Sequence, residues 1–164
     1  MSALDNLRAR REELSRDRTL DLPVPGWPDG LLIARYGAPS AGGLDEIVGA
    51  ARRLEASGQQ DAELAAAADT LIELCRELLT TGEDGEPVGL AQLAGEDQPV
   101  RFDSRLADHL GFTAGSAREC VYGVFPQDEH GRVLDFTVRS HAQRVIGWIG
   151  RIGREADTAL AGEA

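Results

Sequence analysis

Lysine is missing altogether: all 17 basic residues among the 164 are arginines. Without a lysine amine there is no Schiff-base nucleophile, no pyridoxal-phosphate anchor and no ammonium for a phosphate-binding loop. Cysteine is nearly missing too. Cys75 and Cys120 are the only two, and neither sits in the C-x-x-C spacing of a zinc or redox motif. Aromatic residues make up only 5%, so Leu, Ile, Val and Ala have to fill the core. No stretch approaches the roughly 20 apolar residues of a membrane span. Met1 to Arg18 is charged and lacks the apolar run of a secretory signal. The expectation is a cytosolic protein that folds without disulfides, metal or cofactor and has no membrane contact.

Positive charge is outweighed by negative. The formal net charge is −11, which repels nucleic-acid phosphates and argues against a nucleic-acid partner. The same charge favours solubility and suits a basic partner. Hydrophobic residues make up 42%, enough for the core of one domain.

Periodicity divides the chain. Residues 1–18 read as a peripheral charged helix, with Leu4, Leu7 and Leu14 on one face and Arg11 breaking the stripe. Residues 19–154 read as a single domain, and 155–164 as a frayed tail. Leu20, Leu22 and Val24 alternate as in a strand, Pro25 to Gly30 is dense in turn residues, and Leu31 to Tyr36 makes a second strand. Pro23 and Pro25 place the first strand at an edge. Helices are expected from Gly42 to about Ser57 and from Asp61 to about Thr80, as an antiparallel hairpin at the centre of the core. The stripe Leu64, Ala68, Leu71, Cys75, Leu78 marks the second of them. Val88 to Leu93 and Pro99 to Phe102 suggest another small hairpin. Asp103 caps a short helix ended by Gly111, and Ser116 with Glu119 has capping-box spacing before a helix that Pro126 ends. The last helix begins near Thr137 to Ser140, with a stripe of Val138, Ala142, Val145, Ile149 and Ile152 widened by Trp148. The fold class is therefore mainly α, of the α+β kind: a single helical domain with one or two small β-hairpins.

A search for chemistry finds little, and the reading is that the chain is not an enzyme. There is no G-x-S-x-G elbow, and Ser140 and His141 are neighbours that point in different directions on a helix. His109, His130, His141 and the cysteines lack metal-ligand spacing. The acids Glu83, Asp84, Glu86, Glu96, Asp97, Asp128 and Glu129 fall in turns, as a solvated surface would place them. Gly147, Gly150 and Gly153 are unusual inside a helix, where each costs about 0.5–1 kcal/mol relative to Ala. They mark either a close approach by another helix, in this chain or in a partner, or a tolerant helix end. The candidate partner-binding residues are Val145, Gly147, Trp148, Ile149, Gly150, Ile152 and Gly153.

The order of features is itself informative. Leu20-Asp21-Leu22-Pro23-Val24-Pro25-Gly26 leads through a turn to Leu32-Ile33-Ala34-Arg35-Tyr36. A helix follows, then Ala66-Ala67-Ala68-Asp69-Thr70-Leu71-Ile72-Glu73-Leu74-Cys75. After that come Pro99-Val100-Arg101-Phe102-Asp103, Leu106-Ala107, Leu110-Gly111, Val121 to Phe125, His141-Ala142 and Trp148. Over residues 20–150 this resembles the tail assembly chaperones of siphophages that infect actinobacteria. The resemblance implies a helper in the bacterial cytoplasm that binds the long helical tape measure protein until tail tube subunits replace it; self-association is compatible with that role. The chain departs from the family's pattern in the extended turn Asp128 to Arg132 and in the glycine triplet. The other readings are a structural tail or head–tail completion protein, and an acidic regulatory or DNA-mimic protein.

Overall fold

The computed structural model describes residues 2–16 and 18–163, with side chains at 13–16, 41 and 155–163 outside the description. Leu14 and the tail beyond Arg154 fall among those undescribed side chains. The described residues form seven α-helices and one four-stranded antiparallel sheet of order β1-β2-β3-β4. The fold is α+β, with more sheet than isolated hairpins would supply.

Strands β1 (Thr19–Pro23) and β2 (Ile33–Gly37) form the expected hairpin, paired from Thr19↔Gly37 to Pro23↔Ile33. The connection contains a 3-10 turn at Pro28–Gly30, in which Asp29 takes a left-handed φ of 53°. Gly26 adopts φ 88°, where a Cβ would press on the Pro126 ring. The Trp27 indole N–H donates to the Val124 carbonyl at 2.8 Å. The turn is thereby docked on a helix end whose last carbonyls have no partner within the helix.

The clearest correction to the sequence reading lies at residues 61–80. Helix α3 (Ala62–Leu74) stops at Leu74 and passes directly into strand β3 (Cys75–Thr81). Leu78 fits a helical stripe and a strand period equally well, so periodicity alone could not separate them. Tertiary pairing decides: β3 pairs with β2 from Ile33↔Leu79 to Arg35↔Glu77, and a two-stranded ribbon alone would be marginal. Arg101 secures the junction, donating from Nε to the Cys75 carbonyl at 2.8 Å and from Nη2 to the Ile72 carbonyl at 3.1 Å. Across the strands, Arg35 grips both Asp21 carboxylate oxygens at 2.8 and 3.0 Å and reaches Glu77 at 3.1 Å.

The second expected hairpin is also corrected. Strand β4 is only Pro87–Gly89, and Leu90–Ala94 forms the short helix α4, closed by Gly95 at φ 71°. Leu-Ala-Gln-Leu-Ala is composed of good helix formers with no β-branched residue. Pro99 to Phe102 is no strand; the Leu78 amide donates to the Val100 carbonyl at 2.7 Å.

The remaining helices follow their caps. Helix α5 (Ser104–Leu110) starts with the Asp103 carboxylate accepting from the Arg105 and Leu106 amides and ends at Gly111, φ 79°. Helix α6 (Ala117–Val124) starts with the Ser116 hydroxyl accepting from the Glu119 amide. The Glu119 carboxylate reaches back to the Gly115 amide, one residue earlier than a capping box requires. Helix α2 (Ala41–Ala56) is capped by Ser40, and Gly58 beyond it takes φ 72°. Helix α7 (Asp135–Glu163) begins two residues before the expected window and continues past Arg154.

The core lies between the inner face of the sheet (Leu22, Ala34, Tyr36, Leu78) and helices α3, α6 and α7 (Leu71, Val121, Val138, Val145). Helix α2 packs on α3 but contributes no residue to the buried cluster. Of the expected helical hairpin, only α3 is central. Helix α1 (Ala3–Arg16) holds no packed interface with another element among the described residues, and its Leu4 and Leu7 are exposed. No helix of the described residues is long and apolar enough to cross a membrane.

Candidate partner-binding groove

Three helices meet away from the sheet. The floor is α3, whose Ala66 and Ala67 are too small to fill the space between α2 and α7. The α2 wall supplies Leu44, Ile47, Ala51 and Glu55; the α7 wall supplies Arg139, Ala142, Gln143 and Ile146. Two adjoining hollows result, of about 360 and 260 Å³, sharing Ala51, Glu55, Thr70 and Ile146. Val48, on the rim, is 39% exposed and Ile146 is 48% exposed. An amphipathic helix needs such a trough: apolar along its floor and charged at its rims.

Polar groups close the ends. Arg139 reaches Glu63 on α3 at 3.2 Å and Asp135 at 3.5 Å. Its Nε is buried without a hydrogen-bond partner, the one such side-chain atom among the described residues. Along the other side of α3, Arg118 binds both Asp69 oxygens at 2.7 Å and ties α6 to the floor. The Thr70 hydroxyl donates to the Ala66 carbonyl at 2.9 Å, so no polar atom of Thr70 is left over beneath the groove.

The sequence-predicted residues divide. Val145 and Ile149 belong to the core, and the folded chain does not offer them to a partner. Trp148 is half-buried against that core, and Ile152 is half-buried. The stripe reading fails as a contact surface because the same apolar face is needed inside. Gly147 and Gly153 are exposed and Gly150 is half-buried. Among the described residues no other helix approaches them: a Cβ on Gly147 or Gly150 would meet only an arginine tip of the next turn, and one on Gly153 would meet nothing within 4 Å. Gly150 and Gly153 lie four and seven residues beyond Ile146, on the groove side of α7. The sequence reading missed Ile146 itself. Its signal was an isoleucine outside the core stripe, on a face otherwise polar.

His109 and His130 lie at the surface, whereas His141 and both thiols are internal. Tyr36 hydroxyl and His141 Nε2 are hydrogen-bonded at 2.8 Å, with Phe125 edge-on to the imidazole. Burial, helped by Arg144, pulls the His141 pKa down to about 4, so the ring is neutral at pH 7. Burial pushes both thiols up to about 12, far from the reactive thiolate. Cys75 opens β3 instead of continuing a helical stripe, and Cys120 lies inside α6. Among the described residues no three His, Cys, Asp or Glu side chains are grouped as metal ligands. No protein-family model, curated protein or solved structure matches the chain.

Proposed function

We propose that the chain is a non-enzymatic assembly chaperone of the phage tail type, acting in the cytoplasm of the bacterial host. It holds an amphipathic helical segment of the tape measure protein in the α2–α3–α7 groove until tail tube subunits take its place. The observation that carries this reading is the groove, two adjoining hollows floored by the alanines of α3, with Val48 and Ile146 exposed at its edge. The resemblance over residues 20–150 supplies the identity of the client, and the charge of −11 suits a solubilising helper. Gly150 and Gly153 extend the trough along α7 and let a client helix lie close to its backbone.

Co-expression with the tape measure protein of the same genome tests the proposal. Soluble recovery of the client should rise with the chain present. Ile146→Glu or Gly150→Leu should remove most of that gain, whereas Glu129→Ala, in a solvated turn, should leave it. Stoichiometric presence of the chain in mature particles would instead make it a structural component.

A further inference from the structure

We infer that the hollow between the start of β3 and the segment leading into α5 binds a compact, phosphate-bearing small molecule. The inference is independent of the groove and of the client. The chain carries −11 overall, yet this open hollow of about 650 Å³ is lined by Arg76, Arg101 and Arg105 against a single carboxylate, Asp103. Two of the three arginines are fixed in place. Arg101 donates from Nε and Nη2 to the Cys75 and Ile72 carbonyls, and neither bond uses Nη1. Arg105 donates to the Gln98 and Pro99 carbonyls. Carbonyls are neutral, so these bonds hold the guanidinium groups without cancelling their charge. The carboxylates beside Arg105 stand at 3.4 Å (Asp103) and 3.9 Å (Glu96), beyond the roughly 2.7–2.9 Å of a charge-assisted bond. The Asp103 carboxylate is engaged by the amides of Arg105 and Leu106.

Arg76 supplies the free donors. It is exposed and makes no side-chain hydrogen bond or ion pair among the described residues. Its side chain lies across Gly37 of β2, where a Cβ would collide with the guanidinium. The missing side chain at Gly37 therefore sets where Arg76 can lie. Glu73 lines a neighbouring hollow together with Arg76 but forms no ion pair with it. Guanidinium groups bind phosphate oxygens through parallel N–H donors, and groups fixed in advance lose little side-chain freedom on binding. The net charge selects the size of the ligand. Screening confines surface fields to about 8 Å at physiological ionic strength. A compact anion in the hollow feels the arginines, whereas a nucleic acid would also lie against the acidic remainder of the surface.

Titration of the isotope-labelled full chain with inorganic phosphate, at pH 7 and low salt and followed by NMR, tests this. Signals of Arg76, Arg101 and Arg105 should shift saturably, with a dissociation constant on the order of 1 mM or below. Chloride at matched ionic strength should not reproduce the shifts. Arg76→Gln removes an exposed, unpaired group, so it should leave the circular dichroism spectrum unchanged and weaken binding about tenfold or more. Gly37→Ala keeps every charge but displaces Arg76, and should weaken binding as well. Arg132→Gln removes one exposed charge in the turn before α7 and should leave binding unchanged. Glycerol phosphate, in a second titration, should bind at least as tightly as inorganic phosphate. Equal losses in Arg76→Gln and Arg132→Gln would reduce the effect to net charge and overturn the inference. So would shifts that do not saturate, wild-type binding by Arg76→Gln or Gly37→Ala, or no binding of the ester. Acetate bound as tightly as phosphate would make the hollow a carboxylate site instead, and a single-stranded oligonucleotide bound more tightly than glycerol phosphate would exclude the small-molecule class.

Discussion

His141 is the buried histidine of the three, and its burial has a pH signature. Its folded pKa lies near 4, below the unfolded value of 6.5. The folded state therefore binds fewer protons, and the stability this group contributes is full above pH 6.5 and lost as pH falls towards 4. The expected slope is at most about 1.4 kcal/mol per pH unit in that window. Urea midpoints at pH 7 and pH 5.5 measure it, and His141→Gln, which does not titrate, should flatten the difference. The glycines of α7 give a second prediction. Because a Cβ at Gly147 or Gly153 meets nothing closer than 3.9 Å, replacement with Ala should stabilise the protein by about 0.5–1 kcal/mol each, seen as a higher melting temperature. Gly123 is the contrast. Its missing Cβ makes room for the Phe112 ring, which a methyl would overlap at 2.4 Å. Gly123→Ala should therefore lower the melting temperature despite lying in a helix. Nothing in the sequence separates Gly123 from Gly147, because the difference is made by Phe112, which reaches Gly123 only in the folded state.

At the scale of elements, local chemistry was legible wherever one residue decides a boundary. Asp103, Ser116, Gly58 and Gly111 end or start helices where their side chains, or lack of them, suit the backbone. The β1–β2 hairpin was legible for the same reason. Strand β3 was not, since Cys-Arg-Glu-Leu-Leu satisfies a helix locally and becomes a strand only by pairing with β2. The α3–β3 junction depends on Arg101, whose two hydrogen bonds satisfy carbonyls that the end of α3 leaves open. Arg101→Met keeps the stem and removes those donors. It should cost about 1–3 kcal/mol in urea unfolding. The groove was half legible. The α2 face of Leu44, Ile47, Val48 and Ala51 was visible as an apolar stripe, but the sequence could not say that its outer part stays uncovered.

At the scale of the whole molecule, α3 and β3 are one uninterrupted run of backbone from Ala62 to Thr81, with the groove on one side and the sheet at the far end. A loop at that point would absorb small rotations of the helix, and this chain has none. A filled groove should therefore be felt as a tightening of strand pairing, detectable by amide hydrogen exchange. Protection should increase at Leu79, although that residue does not touch the occupant. A flexible insertion of glycine and serine between Leu74 and Cys75 should uncouple the two ends, leaving occupancy of the groove silent in the sheet.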